Sequence, residues 1–455
     1  MQQFASAASL AALAVATAAS AVHATTPSII NGGGAASQYF DYAAPDVNNQ
    51  PVSEMFTFDT LQSNAQFGTY WATTSGTAQT ALLQNDLTCL INKVENGGGC
   101  SNTPGGADTV HYAISETALS AGSIAEWSTS SWGQSAAGNL IQLPAMGTGL
   151  AIVVNDTNIA TNGAATFSTN DLCEIFSGGY TDFSQITDSA TAPAAGTITL
   201  VYRSDAAGNT FSLINHLAAV CTTGAGGNTA PGVTFTPTSS FSTLFSNIAT
   251  QLPHGLGISG LATYANTLAG LESQGVLPQA IGYISPDWTS IDSATSTAKL
   301  LNGLPSPLIV AGLLNGRKSY IPDAAAIRLA LNHIEKANLT TPPSTAAEGA
   351  NPADWVPVIQ TVSAGYPIVT YSIIDLPQCY ADPQITAGMI AFLTDHYTSR
   401  TFKTIQHDNG LVSVTNTSAA KFLAPIKDDI LANKNGWNTN IGNATACAGK
   451  AGRLV

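Results

Sequence analysis

Charge is what this 455-residue chain has least of. Lys, Arg, Asp and Glu make up 9% of it, against roughly 25% in an average globular protein. Its 14 basic residues face 28 acidic ones, a net charge of −14. A phosphate backbone is gripped by clustered Lys and Arg, and no window here carries such a cluster. That excludes nucleic acid and disfavours an anionic membrane surface. Long hydrophobic runs are also missing: beyond the N-terminus none approaches the roughly 18 apolar residues of a spanning helix, so no stable membrane insertion is expected. The chain lacks CxxC, zinc-like Cys/His spacing, GxSxG, HExxH, GxxxxGK[ST] and a dinucleotide fingerprint. Their absence removes the common zinc, hydrolase and nucleotide signatures, and neither metal nor cofactor is expected.

The length is that of two or three domains, and 44% hydrophobic residues suffice for a sizeable core. Surface polarity must come from Ser, Thr, Asn, Gln and Gly, a composition typical of exported bacterial proteins. Residues 4–22 are Ala-rich and apolar, closed by the small-x-small Val22-His23-Ala24, so residues 1–24 read as a signal peptide. The start Met1-Gln2-Gln3 lacks the usual positive charge. All six cysteines follow this segment, and an even count in an exported chain favours disulfides. Cys89 and Cys100 flank a Gly-rich loop, Cys173 and Cys221 lie on helix-like segments, and Cys379 and Cys447 bracket the C-terminal region. Sequence alone leaves fifteen pairings open.

Short apolar stretches alternate with helical periodicity, the pattern of an α/β fold. Strands are expected at 152–155, 197–202, 281–285 and 368–374, and helices at 77–94, 169–177, 210–221, 324–337 and 386–396. The extended run 141–155 is expected to break at Pro144 and Gly147 and to cross between two lobes, with Gly365-Tyr366-Pro367 marking the return.

The most informative stretch is 199–211, where a strand ending in Arg203 meets Asp205, then Ala207-Gly208-Asn209, then an apolar helix pattern. A strand, a Gly turn and a helix start aim several N–H groups at one point, where the helix dipole favours an anion. Arg203 adds a cation with bidentate geometry, and Asp205 can hold it. A helix capped by Asn209 beside a surface Arg–Asp pair explains the same residues equally well. Two further Gly turns share this character, at 30–37 and 73–77. His111, His216, His254 and His333 sit in apolar or small-residue contexts that suit structural roles better than general-base ones. Asp428 and Asp429 read as a solvated helix face.

Ile30-Asn-Gly-Gly-Gly34, Asp171-Leu-Cys-Glu-Ile-Phe-Ser-Gly178, Val201-Tyr-Arg203 with its Gly turn, Tyr283-Ile-Ser-Pro-Asp287, Trp355-Val-Pro-Val358, Gly365-Tyr-Pro-Ile368 and Gln378-Cys-Tyr380 occur in one order. In that ordered set the chain resembles the DING proteins, the phosphate-binding branch of the periplasmic solute-binding proteins that serve ABC phosphate transporters. The resemblance implies a two-lobed α/β Venus-flytrap of type II-like topology, with mixed sheets flanked by helices. Lobe I would be 25–144 plus 367–455, and lobe II 145–366. It implies disulfides Cys173–Cys221 and Cys379–Cys447, leaving Cys89 and Cys100 to each other outside the family pattern.

The family's ligand shell maps onto Ala36 and Ser37, Ser75 and Gly76, Glu116, Arg203, and Ala207, Gly208 and Asn209. Ala36 and Ala207 stand where the family has hydroxyls, Asn209 replaces another, and Glu116 replaces the Asp that accepts the proton of hydrogen phosphate. A hydrogen bond to a charged group is worth roughly 1.5–3 kcal/mol, so two lost hydroxyls weaken phosphate by about two to four orders of magnitude. The expected function is a non-enzymatic, monomeric, periplasmic or secreted receptor for phosphate or a related oxyanion, working with an ABC permease. The alternatives are a secreted phosphoesterase and a degenerate receptor kept as an adhesin or matrix protein.

Overall fold

The structure is a computed structural model that describes residues 27–42, 55–56, 65–92, 100, 109–156, 158–159, 161–187, 193–273, 279–289, 291, 308–335 and 341–453. The leader read at 1–24 lies outside these residues. The fold is α/β, with three sheets. The largest has six strands in the order β13-β4-β12-β3-β1-β2: β1 (Ser28–Ala35), β2 (Ala65–Thr73), β3 (Tyr112–Ser115), β4 (Leu140–Gly149), β12 (Val369–Pro377) and β13 (Val412–Ser413). A four-stranded sheet, β5-β9-β7-β8, holds β5 (Ala151–Asp156), β7 (Thr199–Arg203), β8 (Gly255–Ile258) and β9 (Gln279–Ile284). A small third sheet joins β6 (Thr166–Phe167), β10 (Gly312–Asn315) and β11 (Lys318–Tyr320).

β5, Ala-Ile-Val-Val-Asn-Asp, is buried along its whole length, as expected of a strand covered on both faces. One core cluster extends from Ile114, Leu143 and Ile374 in the large sheet to Ile152, Leu200 and Ile281 in the four-stranded one. A second, including Val153, Val201 and Tyr264, includes residues of the helix Leu261–Ser273 (here α4) packed on the four-stranded sheet.

The chain changes sheets at Leu150. Its N–H donates to the Ile368 carbonyl (3.0 Å) and its carbonyl accepts from the Tyr366 hydroxyl (2.6 Å), so outgoing and returning segments are tied side by side. The expected break at Pro144 and Gly147 does not occur: β4 continues to Gly149. Ser372 faces Met146 while Ile373 faces Pro144, a bulge that absorbs Ala145. A proline lacks the N–H of a ladder bond, and a bulge is where a strand tolerates it.

The helices used below are α1 (Ser75–Gln84), α2 (Thr169–Ser177), α3 (Gly208–Val220), α4, α5 (Ala324–Leu331), α6 (Pro383–Thr398) and α7 (Arg400–Asp408). The helix expected at 77–94 ends at Gln84 and restarts at Thr88–Ile91. Asn85 breaks it by taking a left-handed conformation (φ 50°), held there by a bond from Val110 N–H to its side chain (3.1 Å). The helix expected to reach 337 stops at Leu331, because Ile334 bridges to Val362. Asp429 is buried and accepts from Asn435 (3.0 Å), so it is not a solvated position; only Asp428 pairs outward, with Lys434. The six cysteines form Cys89–Cys100, Cys173–Cys221 and Cys379–Cys447.

Gly365 lies just before the return crossing with φ +82°, and a Cβ there would sit 2.4 Å from the Ala330 nitrogen in α5. Left-handed backbone and contact with backbone atoms together make substitution expensive. Gly365→Ala is expected to lower stability by about 1–3 kcal/mol, read from the urea midpoint; an unchanged midpoint would refute this account of the crossing.

Candidate functional site

β1, β2 and β3 are mutually parallel through β1, so their C-terminal ends emerge on one edge of the large sheet. Crevices outside the carboxyl ends of strands are where open α/β sheets bind ligands. A short 3-10 turn, Ala36–Gln38, follows β1 directly, α1 starts two residues after β2, and Glu116 follows β3. From the four-stranded sheet, β7 ends in Arg203 and α3 begins at Gly208.

These ends meet around one cavity, lined by Ala36, Ser37, Ser75, Glu116, Arg203, Ala207, Gly208 and Asn209. Of the nine residues taken from the resemblance, Gly76 alone does not line it; it lies one position inside α1 with open space around its Cα. Ala35, Thr73 and Thr74, from the Gly turns at 30–37 and 73–77, line it too, as does Leu261, which no motif marks. Thr74 was legible in principle as the N-cap of α1, accepting from Thr77 N–H (3.2 Å). Leu261 arrives from α4 by tertiary folding and carried no local signal.

Contacts across the cavity join the two sheets. The Asn209 amide, from the four-stranded-sheet side, donates to Glu116 Oε2 (2.9 Å); on the large-sheet side the Glu116 N–H donates to the Ser75 hydroxyl (3.0 Å). The Trp288 indole donates to the Ala36 carbonyl (3.4 Å). Space is tight: a Cβ on Gly208 would lie 2.5 Å from Ser75 Oγ and 2.8 Å from Glu116 Cβ. The room left is about 10 Å³, that of a single water.

Arg203 is 4% exposed and donates through Nε and Nη2 to both oxygens of Asp205 (2.7 and 2.6 Å). Arg203 is therefore buried and Asp205 half-buried, rather than the two forming a surface pair. Burial raises the Asp205 pKa, but the Arg203 bonds and charge and the Gly260 N–H outweigh it and hold the carboxyl below its usual range. Asn209 does not cap α3. The N-cap is Ala207, with no side-chain bond, so the first-turn N–H groups of α3 have no competing side-chain acceptor. The Ala207 N–H itself is taken by the Ser239 carbonyl (3.0 Å), which removes it from the expected donor set. None of the lining residues is a histidine or cysteine. His111 accepts from Asn31 N–H (2.9 Å), and His216 and His333 bond to the Gln360 and Leu329 carbonyls (2.8 Å each), all structural.

Glu116 is 3% exposed. Burial pushes its pKa up to about 7, against smaller downward pulls from Ser37, Arg203 and Asn209. A carboxyl raised on folding stabilises the fold fully below its unfolded value of 4.5, and that stability is lost as pH rises through about 7. The full loss is about 3 kcal/mol. Asp375, pushed up to about 8 by burial against one bond from Gln79, acts in the same sense nearby. Glu116→Gln is expected to be more stable than the parent at pH 8 and to lose most of that advantage at pH 4.5, measured by urea denaturation; an advantage independent of pH would contradict the shift.

The PBP superfamily domain model matches residues 22–321. The chain is 29% identical over 442 residues to a protein named alkaline phosphatase L from Pseudomonas aeruginosa, covering 92% of this chain and 93% of the relative. Among solved structures, the crystal structure of a DING protein is 26% identical with a TM-score of 0.70, covering 94% and 100% of the two chains. A high affinity periplasmic phosphate-binding protein bound with phosphate at pH 8.5 is 26% identical with a TM-score of 0.70, covering 93% and 99%. With a family model spanning more than half the chain and two-lobed α/β neighbours aligned over nearly all of it, this protein belongs to the PBP superfamily.

Proposed function

We propose that this chain is an exported receptor that closes two lobes over hydrogen phosphate or a closely related oxyanion. The observation that carries the reading is the convergence of Arg203, Ser75, Glu116 and the uncapped start of α3 on one cavity between the two sheets. Arg203 supplies the cation, with its orientation set by Asp205; the helix starts supply N–H donors and dipoles; Glu116 faces whatever proton the ligand carries. Lobes near 25–144 plus 367–455 and 145–366 would rock about Leu150 and Ile368, where the segments cross.

A tetrahedral anion does not fit the present gap, so its entry has to part Asn209 from Glu116. Ionised, Glu116 accepts a hydrogen bond from a protonated oxyanion and repels one without a proton. Neutral, it donates instead. Selection against sulfate should therefore hold above pH 7 and fade below it. This chain would bind phosphate rather than hydrolyse it, because among the described residues no histidine lines the cavity to activate a nucleophile; the name of the alkaline phosphatase L relative is the one specific observation that favours a phosphoesterase. In this reading a leader at 1–24 directs a monomer to the periplasm or medium, and an ABC permease reads the closed form.

Titration calorimetry of phosphate into the ligand-stripped protein tests this. Binding with sulfate rejected at pH 8, sulfate competing at pH 5.5, and loss of at least about tenfold in affinity in Arg203→Ala are expected. Gly208→Ala should abolish binding and Gly76→Ala should not. No heat at millimolar phosphate would overturn the receptor reading and favour an adhesin or matrix role. Hydrolysis of p-nitrophenyl phosphate that disappears in Arg203→Ala would replace it with the phosphoesterase.

A further inference from the structure

A second cavity, of about 90 Å³, opens between α5, α7 and β13, and shares no residue with the interlobe one. Such a volume admits several non-hydrogen atoms, since about 10–15 Å³ suffices for a water. Its polar lining is Arg328 from α5, Lys403 and His407 from α7, and Ser413 and Asn416 beyond. Lys403 and His407 are four residues apart on one helix and so share a face. The chain has 14 Lys and Arg in 455 residues, and two of them, far apart in sequence, line this one cavity.

No carboxylate lines this cavity. Among the described residues neither Arg328 nor Lys403 forms an ion pair. Of the nearby acids, Asp323 caps α5 at the Ala326 N–H (2.6 Å), and Asp408 lies 3.6 Å from His407 Nδ1, a partner for that imidazole but not for Arg328 or Lys403. Two cations lining one cavity without an ion-pair partner repel each other, and a bound anion of charge two or more removes that repulsion. Such local arrangements concentrate anions even on a molecule whose net charge is negative. The cavity sits behind the crossing, since α5 also packs on β4 through Leu331 at Gly147 and accepts the Tyr366 N–H at Ala326 (3.2 Å).

We infer that the cavity bounded by Arg328, Lys403 and His407 is a second anion site, which takes a compact multivalent oxyanion of the diphosphate type and fastens α5 to α7. The test is calorimetric titration of pyrophosphate into Gly208→Ala, in which the interlobe site is blocked, and into Gly208→Ala/Arg328→Ala/Lys403→Ala, both at fixed ionic strength set with chloride. The expected result is one-to-one binding in the first protein, weakened at least about tenfold in the second. Arg328 is exposed and Lys403 half-buried, and equal urea midpoints will establish that the variant is folded. Absence of heat up to about 10 mM pyrophosphate, a range that covers affinities weaker than millimolar, would overturn the proposal. So would equal affinity in the two proteins, or loss of binding when chloride is raised only slightly. Phosphate binding by the protein with Gly208 intact and Arg328→Ala/Lys403→Ala is expected to be unchanged, which separates this site from the interlobe one.

Discussion

The parallel pairing of β1 with both β2 and β3 is the constraint on which the rest of the site depends. It brings three strand ends to one edge, and so the turn at Ala36–Gln38, the start of α1 and Glu116 to one cavity. The Gly32-Gly33-Gly34 run makes the pairing this close: a Cβ on Gly34 would lie 2.0 Å from the Ile114 carbonyl oxygen, and one on Gly33 2.3 Å from that of Trp71. A side chain at either position would push neighbouring strands apart and with them the groups they carry.

Electrostatics then decides what the cavity tolerates. The buried Arg203 is balanced by the half-buried Asp205, and the cost of desolvation is met by two short bonds and by the Gly260 N–H. Among the described residues that line the cavity, Glu116 is the group whose charge changes near neutral pH. The Asn209 and Glu116 side chains meet across the gap, and on the resemblance both stand where the family pattern has other residues. A bond from Asn209 to a neutral Glu116 is weaker than one to the ionised form, so latch and selectivity are linked through a single proton.

The crossings are what allow two sheets to act on one ligand. Leu150, Ile368 and Tyr366 tie the outgoing and returning segments with two backbone-directed bonds. At that point α5 packs against Gly147 and Gly365. The tightness of that packing explains why two glycines flank the crossing on either side of α5. It also means that anything binding between α5 and α7 acts close to the point where the lobes turn.

Most of the architecture was legible in residues 28–453. The helix at 169–177 and the strands ending near Arg203 and Ile284 lie where apolar periodicity places them, because their burial patterns are local and regular. Pro144 and the residues around Asn85 and Asn332 misled, since a bulge, a left-handed residue and a bridge to Val362 are decided by partners distant in sequence. Motif order likewise pointed to Arg203, Ser75, Glu116 and the Gly208 turn as chemistry-bearing positions. It was silent on the Asn209–Glu116 bond, on Leu261 at the cavity wall and on the engagement of the Ala207 N–H by Ser239. The sequence by itself determined the alternation of strands and helices and the residue types brought to the strand ends, since both depend on neighbours a few positions away. Only the tertiary structure decided which donors stay free, which carboxyl loses its charge and where cations gather without partners, because desolvation and hydrogen-bond competition depend on what packs alongside.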